Sequence, residues 1–224
     1  MNRTILHRFP RVPVWRTPHS KLNSSGLQLL LWVIGVVSLG YVITGYSVSA
    51  WHQAQQKANF AALASARSSD PHPVMGSSKT VVTKPAAGGL IGVLEIPRLG
   101  ISSVVDEGVD NDTLLVAVGH VPGTAFPGEV GNVALAGHRD TFFRELGQLR
   151  SGDDIVVTTL GGSYRYRVEA TRIVNPSANE VLDASDRPTL TLITCYPFRY
   201  IGSAPRRFIV VARQVASLDP ESLP

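Results

Sequence analysis

The sequence predicts an all-β domain, a barrel or a sandwich, behind a single N-terminal membrane helix. Three observations lead there. After Gly89 the chain breaks into seven or so short apolar or alternating segments, separated by Gly and Pro, with few helical patterns. Before Gly89, the 25 residues 27–51 carry no charge. Residues 189–197 alternate threonine with aliphatics, deliver the only cysteine at what reads as a strand end, and stop at Pro197, which cannot donate to a ladder.

Charge divides the chain by segment. Residues 1–26 hold four arginines, one lysine and no acid (+5), residues 27–89 four basic residues and one acid (+3), and residues 90–217 twelve arginines against fourteen acids (−2). The overall charge of +4 therefore belongs to the N-terminal flank, and nucleic acid is not expected as a partner of the folded part. Only the region after about Gly89 mixes apolar and polar residues as a packed core does. One domain is expected over residues 90–217, with a tail at 218–224.

At about 1.5 Å per helical residue, the uncharged run exceeds the roughly 30 Å bilayer core. Arg3, Arg8, Arg11, Arg16 and Lys21 precede it without an acid, so the positive-inside rule keeps residues 1–26 cytoplasmic and sends the rest outward. Trp32 and Trp51 sit near its ends as interfacial anchors. Val48-Ser49-Ala50 resembles a signal cleavage site, but signal h-regions run about 7 to 15 residues, so an uncleaved anchor is the better reading. Residues 52–89 then predict a short Ala- and Gln-rich helix, with Phe60 and Leu63 at helical spacing, followed by a Ser, Pro and Gly linker. Asp70-Pro71-His72-Pro73 reads as a plain turn rather than a lid over a site.

The domain opens with a strand over residues 91–96, closed by Pro97 and Gly100, and a second over 101–105. Residues 111–118 predict a short helix capped by Asn111. Residues 119–131 read as a loop, 132–136 as a strand, and 154–159 with 164–174 as a hairpin across Gly161-Gly162. Residues 175–188 form a polar connection with room for a mobile loop, before the cysteine strand and a last strand over 208–215.

An extracytoplasmic domain with one cysteine has no internal disulfide, which leaves an intermolecular partner or a reactive thiol; otherwise Cys195 is a small buried hydrophobe. A cysteine nucleophile needs a proton carrier, and imidazole titrates near neutrality. The domain offers two histidines, His120 and His138. His138 follows a strand of small residues and is the expected base; His120, in the Gly and Pro loop, is expected to satisfy local backbone groups. Arg206 and Arg207 open the last strand, where a guanidinium can hold an oxyanion, and the pattern alone does not choose between them. Asp106, Glu107, Asp110 and Asp112 cluster tightly enough to raise a calcium site, but not at EF-hand spacing, so a solvated acidic turn and no metal or cofactor is expected. Too few ligands are present for zinc.

These residues resemble the sortases, membrane-anchored cysteine transpeptidases of bacterial surfaces. Thr191-Leu192-Ile193-Thr194-Cys195 looks like the sortase cysteine motif, and Gly131-Asn132-Val133-Ala134-Leu135-Ala136-Gly137-His138 like the strand that delivers the catalytic histidine. Cys195-Tyr196-Pro197-Phe198 with Gly202-Ser203-Ala204-Pro205-Arg206-Arg207-Phe208 is most similar to class D members. The resemblance implies an eight-stranded β-barrel with the site at one end, and carries the catalytic roles onto Cys195, His138 and Arg207. It further implies cleavage of a Leu-Pro-x-Thr-Gly-like signal on surface proteins, and transfer of the acyl group to an amine of a cell-wall precursor. Thr194 and the backbone N–H of Tyr196 are expected as additional donors, and Ile193, on the cysteine's side of the strand, as part of the substrate floor. Two other classes share parts of the pattern: a secreted Cys-His peptidase, which would release a free acid, and a membrane-tethered binding module, which would need none of these residues.

Overall fold

The computed structural model describes residues 24–68, 85–86 and 88–218, so Asp70-Pro71 and most of the linker lie outside the described residues. The chain forms two compact units, Met1–Thr44 and Gly45–Pro224. Helix α1, Ser24–Ser68, contributes to both. In the first unit its apolar side chains are exposed, and the helix is long and apolar enough to cross a membrane.

The second unit is a closed barrel in the order β1-β2-β3-β4-β7-β8-β6-β5. Its strands are β1 Leu90–Ile96, β2 Ile101–Glu107, β3 Val118–His120, β4 Asn132–Ala136, β5 Asp154–Thr159, β6 Gly162–Val174, β7 Thr189–Tyr196 and β8 Arg206–Leu218. β3 stands where a helix end at Val118 and a loop from Gly119 are expected from the sequence. Its three residues are too short for a periodic signal, and its pairing to β2 is parallel, across helix α2, Asn111–Val116. Asp110 caps α2 in place of Asn111: its carboxylate accepts from the Thr113 N–H at 3.0 Å and the Thr113 hydroxyl at 2.8 Å, which holds its pKa below the usual range.

The interior is filled by one face of each strand, including Leu94, Val133, Leu135, Ile155, Tyr166, Leu190, Leu192 and Val210. Gly92 lets β1 and β5 close together, since a Cβ there would lie 2.1 Å from the Thr158 carbonyl oxygen.

The C-terminal half of α1 docks on the edge of β2 where β3 has not yet begun. Gln53 fills that gap. Its Oε1 accepts the Val104 N–H at 2.9 Å and its Nε2 donates to the Val116 carbonyl at 2.6 Å, so one side chain supplies the bonds a neighbouring strand would make. Lys57 donates to the Ser102 carbonyl at 3.0 Å, and Phe60 is buried. His52 Nε2 lies 3.1 Å from Asp106 Oδ2. The expected solvated turn fails for Asp106 and Glu107, which are 2% and 6% exposed, and holds for Asp110 and Asp112, which are exposed.

Candidate active site

Period-two alternation decides which side chains share the site. On β7, Leu190 and Leu192 point into the barrel, so Thr191, Ile193 and Cys195 point outward; on β8, Phe208 and Val210 point inward, so Arg207 and Ile209 point outward. The β7–β8 register sets Cys195 directly opposite Arg207 and Tyr196 opposite Arg206. Directly opposed residues in an antiparallel pair project from the same face, so Cys195 and Arg207 share one surface and Arg206 projects from the other. Cys195 is free and half-buried, and the Arg207 guanidinium donates to the carbonyls of Ala204 at 3.3 Å and Arg206 at 3.1 Å.

β4 lies on the other side of β7, in parallel register from Asn132↔Thr189 to Ala136↔Ile193. Past the end of the ladder the Gly137 N–H donates to the Ile193 carbonyl at 3.1 Å, and His138 follows in step with Cys195. Gly137 is required there by packing: a Cβ would press on the Phe143 ring at 2.8 Å. His138 is partly exposed, and among the described residues its ring has no hydrogen bond. Adjacent β7 and β8 thus carry a thiol and a guanidinium on one outward face, and His138 stands two residues past the end of neighbouring β4.

The sortase domain model matches residues 94–215, more than half of the chain. The chain belongs to the sortase family. It is 32% identical over 189 residues to sortase D of Bacillus subtilis, covering 80% of this chain and 96% of that protein. Among solved structures it resembles a Clostridium perfringens sortase D5 transpeptidase, with a TM-score of 0.55 and 33% identity, covering 59% of this chain and 83% of that one. It also resembles the SrtA sortase from Actinomyces oris, with a TM-score of 0.58 and 33% identity over 63% and 88% of the two chains. The protein is therefore a cysteine transpeptidase of the sortase type, with the eight-stranded barrel of that family.

The side chains of Thr194 and Tyr196 face away from Cys195, although the expectation for Tyr196 concerned its backbone N–H, which the direction of its ring does not bear on. Thr194 is buried, and its hydroxyl donates to the Gly137 carbonyl at 2.7 Å; it ties β7 to the segment that carries His138 and is not free to donate to a substrate. The Tyr196 ring meets Phe198 edge-on at 5.9 Å and stacks on Phe208 at 6.4 Å, closing the end of the core. Ile193 keeps its expected place on the cysteine's face.

His120, expected in a loop with local backbone partners, is fully buried at the end of β3. Its Nε2 donates to the Ala125 carbonyl at 2.9 Å, its Nδ1 lies 2.6 Å from Glu107 Oε2, and its ring stacks on Phe126 at 4.6 Å.

Two residues of β4 and its extension have roles that local sequence does not mark. Asn132 accepts from the Thr191 hydroxyl at 2.7 Å and donates to the carbonyls of Val181 at 2.9 Å and Asp183 at 3.2 Å, pinning the middle of the connection expected to be mobile. Arg139 donates to three carbonyls of the loop between β7 and β8. Among the described residues, no three His, Cys, Asp or Glu side chains gather as metal ligands.

Proposed function

We propose that this sortase cleaves a Leu-Pro-x-Thr-Gly-like signal between Thr and Gly and transfers the acyl group to an amine of a cell-wall precursor, as a class D enzyme. The observation that carries the reading is the shared outward face of Cys195 and Arg207, with His138 in step on the neighbouring strand. The Cys195 thiolate attacks the threonine carbonyl carbon, and Arg207 hydrogen-bonds the oxygen as it takes up negative charge. The C–N bond to glycine breaks as the His138 imidazolium gives its proton to the departing nitrogen. The thioester on Cys195 is then attacked by the acceptor amine, which loses a proton to His138 while the thiolate leaves.

Neither step uses a metal or cofactor, and the two most buried acids of the 106–112 cluster are engaged elsewhere, Asp106 with His52 and Glu107 with His120. Residues 27–51 anchor the chain once in the membrane, with the basic flank cytoplasmic and the barrel outside.

The reaction is tested by supplying a Leu-Pro-x-Thr-Gly-like peptide with a short glycine or diamino-acid nucleophile and identifying products by mass, with and without chelator. Ligated product at an unchanged rate in chelator is expected. Free acid alone, in equal yield with and without every amine tried, leaves a hydrolytic peptidase instead. Protease added to intact cells is expected to remove the barrel and spare residues 1–26; release of a chain beginning at Trp51 would show cleavage after Ala50.

A further inference from the structure

The loop of residues 197–205 joins the strand that ends in Cys195 to the strand that begins beside Arg207. It forms no ladder with any strand, and Arg199, Tyr200, Ile201, Gly202 and Ser203 are all exposed, Ile201 completely. A segment of this kind opens readily unless something holds it. Two things do. Near its start the Phe198 ring packs edge-on against Phe208 at 5.3 Å, on the barrel end. Beyond that point the loop is held from the histidine strand by Arg139. Its Nη1 donates to the Pro197 carbonyl at 2.9 Å, its Nη2 to those of Tyr200 at 2.9 Å and Gly202 at 3.0 Å, and its Cζ lies 5.8 Å from the centre of the Tyr200 ring. Gly202 takes a φ of 102°, a conformation that side chains other than glycine rarely adopt.

We propose that Arg139 is a positioning residue for transpeptidation, setting Arg207 against Cys195 by fixing the loop between them. The link is short: Gly202 stands two residues before Ala204, whose carbonyl receives the Arg207 guanidinium. Three converging carbonyls match the planar, multiple N–H fork of a guanidinium, which a lysine ammonium does not reproduce. Arg139 also adjoins His138 in sequence, so one residue ties the proton carrier's segment to the guanidinium's. This assignment rests on the reading that Arg207 serves the acyl group on Cys195.

The test uses the full chain in detergent, with Arg139→Ala, Arg139→Lys, Arg207→Ala and the Arg139→Ala/Arg207→Ala pair. Loss of the clamp is expected to speed tryptic cleavage at the 199–200 bond on the order of tenfold, while the thermal midpoint stays that of the parent. With the peptide and amine above, kcat is expected to fall on the order of 10- to 100-fold in both Arg139 variants, with a smaller change in KM. The double variant is expected to be no slower than Arg207→Ala alone, because Arg139 acts through Arg207. Unchanged cleavage at residue 199, losses that multiply in the double variant, or full activity in Arg139→Lys would each overturn the proposal. Failure of the parent to turn over any peptide would sink the functional reading alone, since the tryptic comparison needs no substrate and still decides the clamp.

Discussion

β3 and β4 lie side by side, and each leads to a histidine with an opposite environment. His120 ends β3 with no exposed surface and both ring nitrogens engaged, one on a carboxylate and one on a carbonyl. His138 leaves β4 partly exposed, with its ring unbonded among the described residues and in step with a half-buried thiol. A histidine whose two nitrogens are committed inside a core holds structure together; an unbonded, partly exposed ring is what the proton-carrier role proposed for His138 requires. Residue type marked both positions, and the neighbouring strand separated them.

The largest expected effects break the comparison on the His138 side. Cys195→Ala and His138→Ala are each expected to abolish turnover without lowering the thermal midpoint, and the double variant to be no worse, because nucleophile and proton carrier act as one unit. Measurable ligation by His138→Ala would move the proton carrier elsewhere. Arg207→Ala is expected to reduce kcat on the order of 10² to 10³, the scale of one lost oxyanion donor, and Arg206→Ala to be mild. The reverse order would mean that the guanidinium acting on the substrate comes from the other face of β8.

The strong periodic elements were legible before the structure: the cysteine strand, the 154–174 hairpin and the uncharged helix. The proposed triad was legible only as candidates, because a lone cysteine followed by a proline, a histidine after small residues and an arginine pair are each uncommon. β3 was not legible, since its three residues obtain their strand character from β2 and β4 rather than from their own pattern. The acids at 106 and 107 read as solvated because their partners, His52 and His120, lie 54 and 13 residues away. Residue pattern alone did not separate Arg207 from Arg206; the family resemblance pointed to Arg207, and the β7–β8 register sets that residue opposite Cys195. The roles of Asn132 and Arg139 are contacts to carbonyls of distant loops, which leave no mark in local sequence.

The next effect falls on the His120 side. His120→Ala strips a buried carboxylate of its hydrogen-bond partner and is expected to cost about 3 kcal/mol of stability in a urea titration. The folded fraction is expected to turn over peptide at nearly the parent rate. A variant of full stability but no activity would reverse the roles assigned to the two histidines.

The smallest expected effect concerns Asp106, which projects to the other side of β2 from Glu107 and meets His52 of the docked helix. Burial raises its pKa, and the hydrogen bond to His52 offsets part of that; its Oδ1 has no partner among the described residues. A carboxyl whose folded pKa lies above its unfolded value contributes stability that is fully present below the unfolded pKa and lost as pH rises through the folded one. Ionised Asp106 therefore weighs against the fold at neutral pH. Asp106→Asn keeps the shape and an oxygen for His52 and removes the charge, so it is expected to raise the thermal midpoint slightly at pH 7, with the gain shrinking as pH falls into the ordinary carboxylate range. A less stable variant at pH 7 would mean that the attraction between Asp106 and His52 outweighs the desolvation. The two adjacent acids of β2 would then both be stabilising partners of a histidine, rather than one partner and one buried, incompletely paired charge.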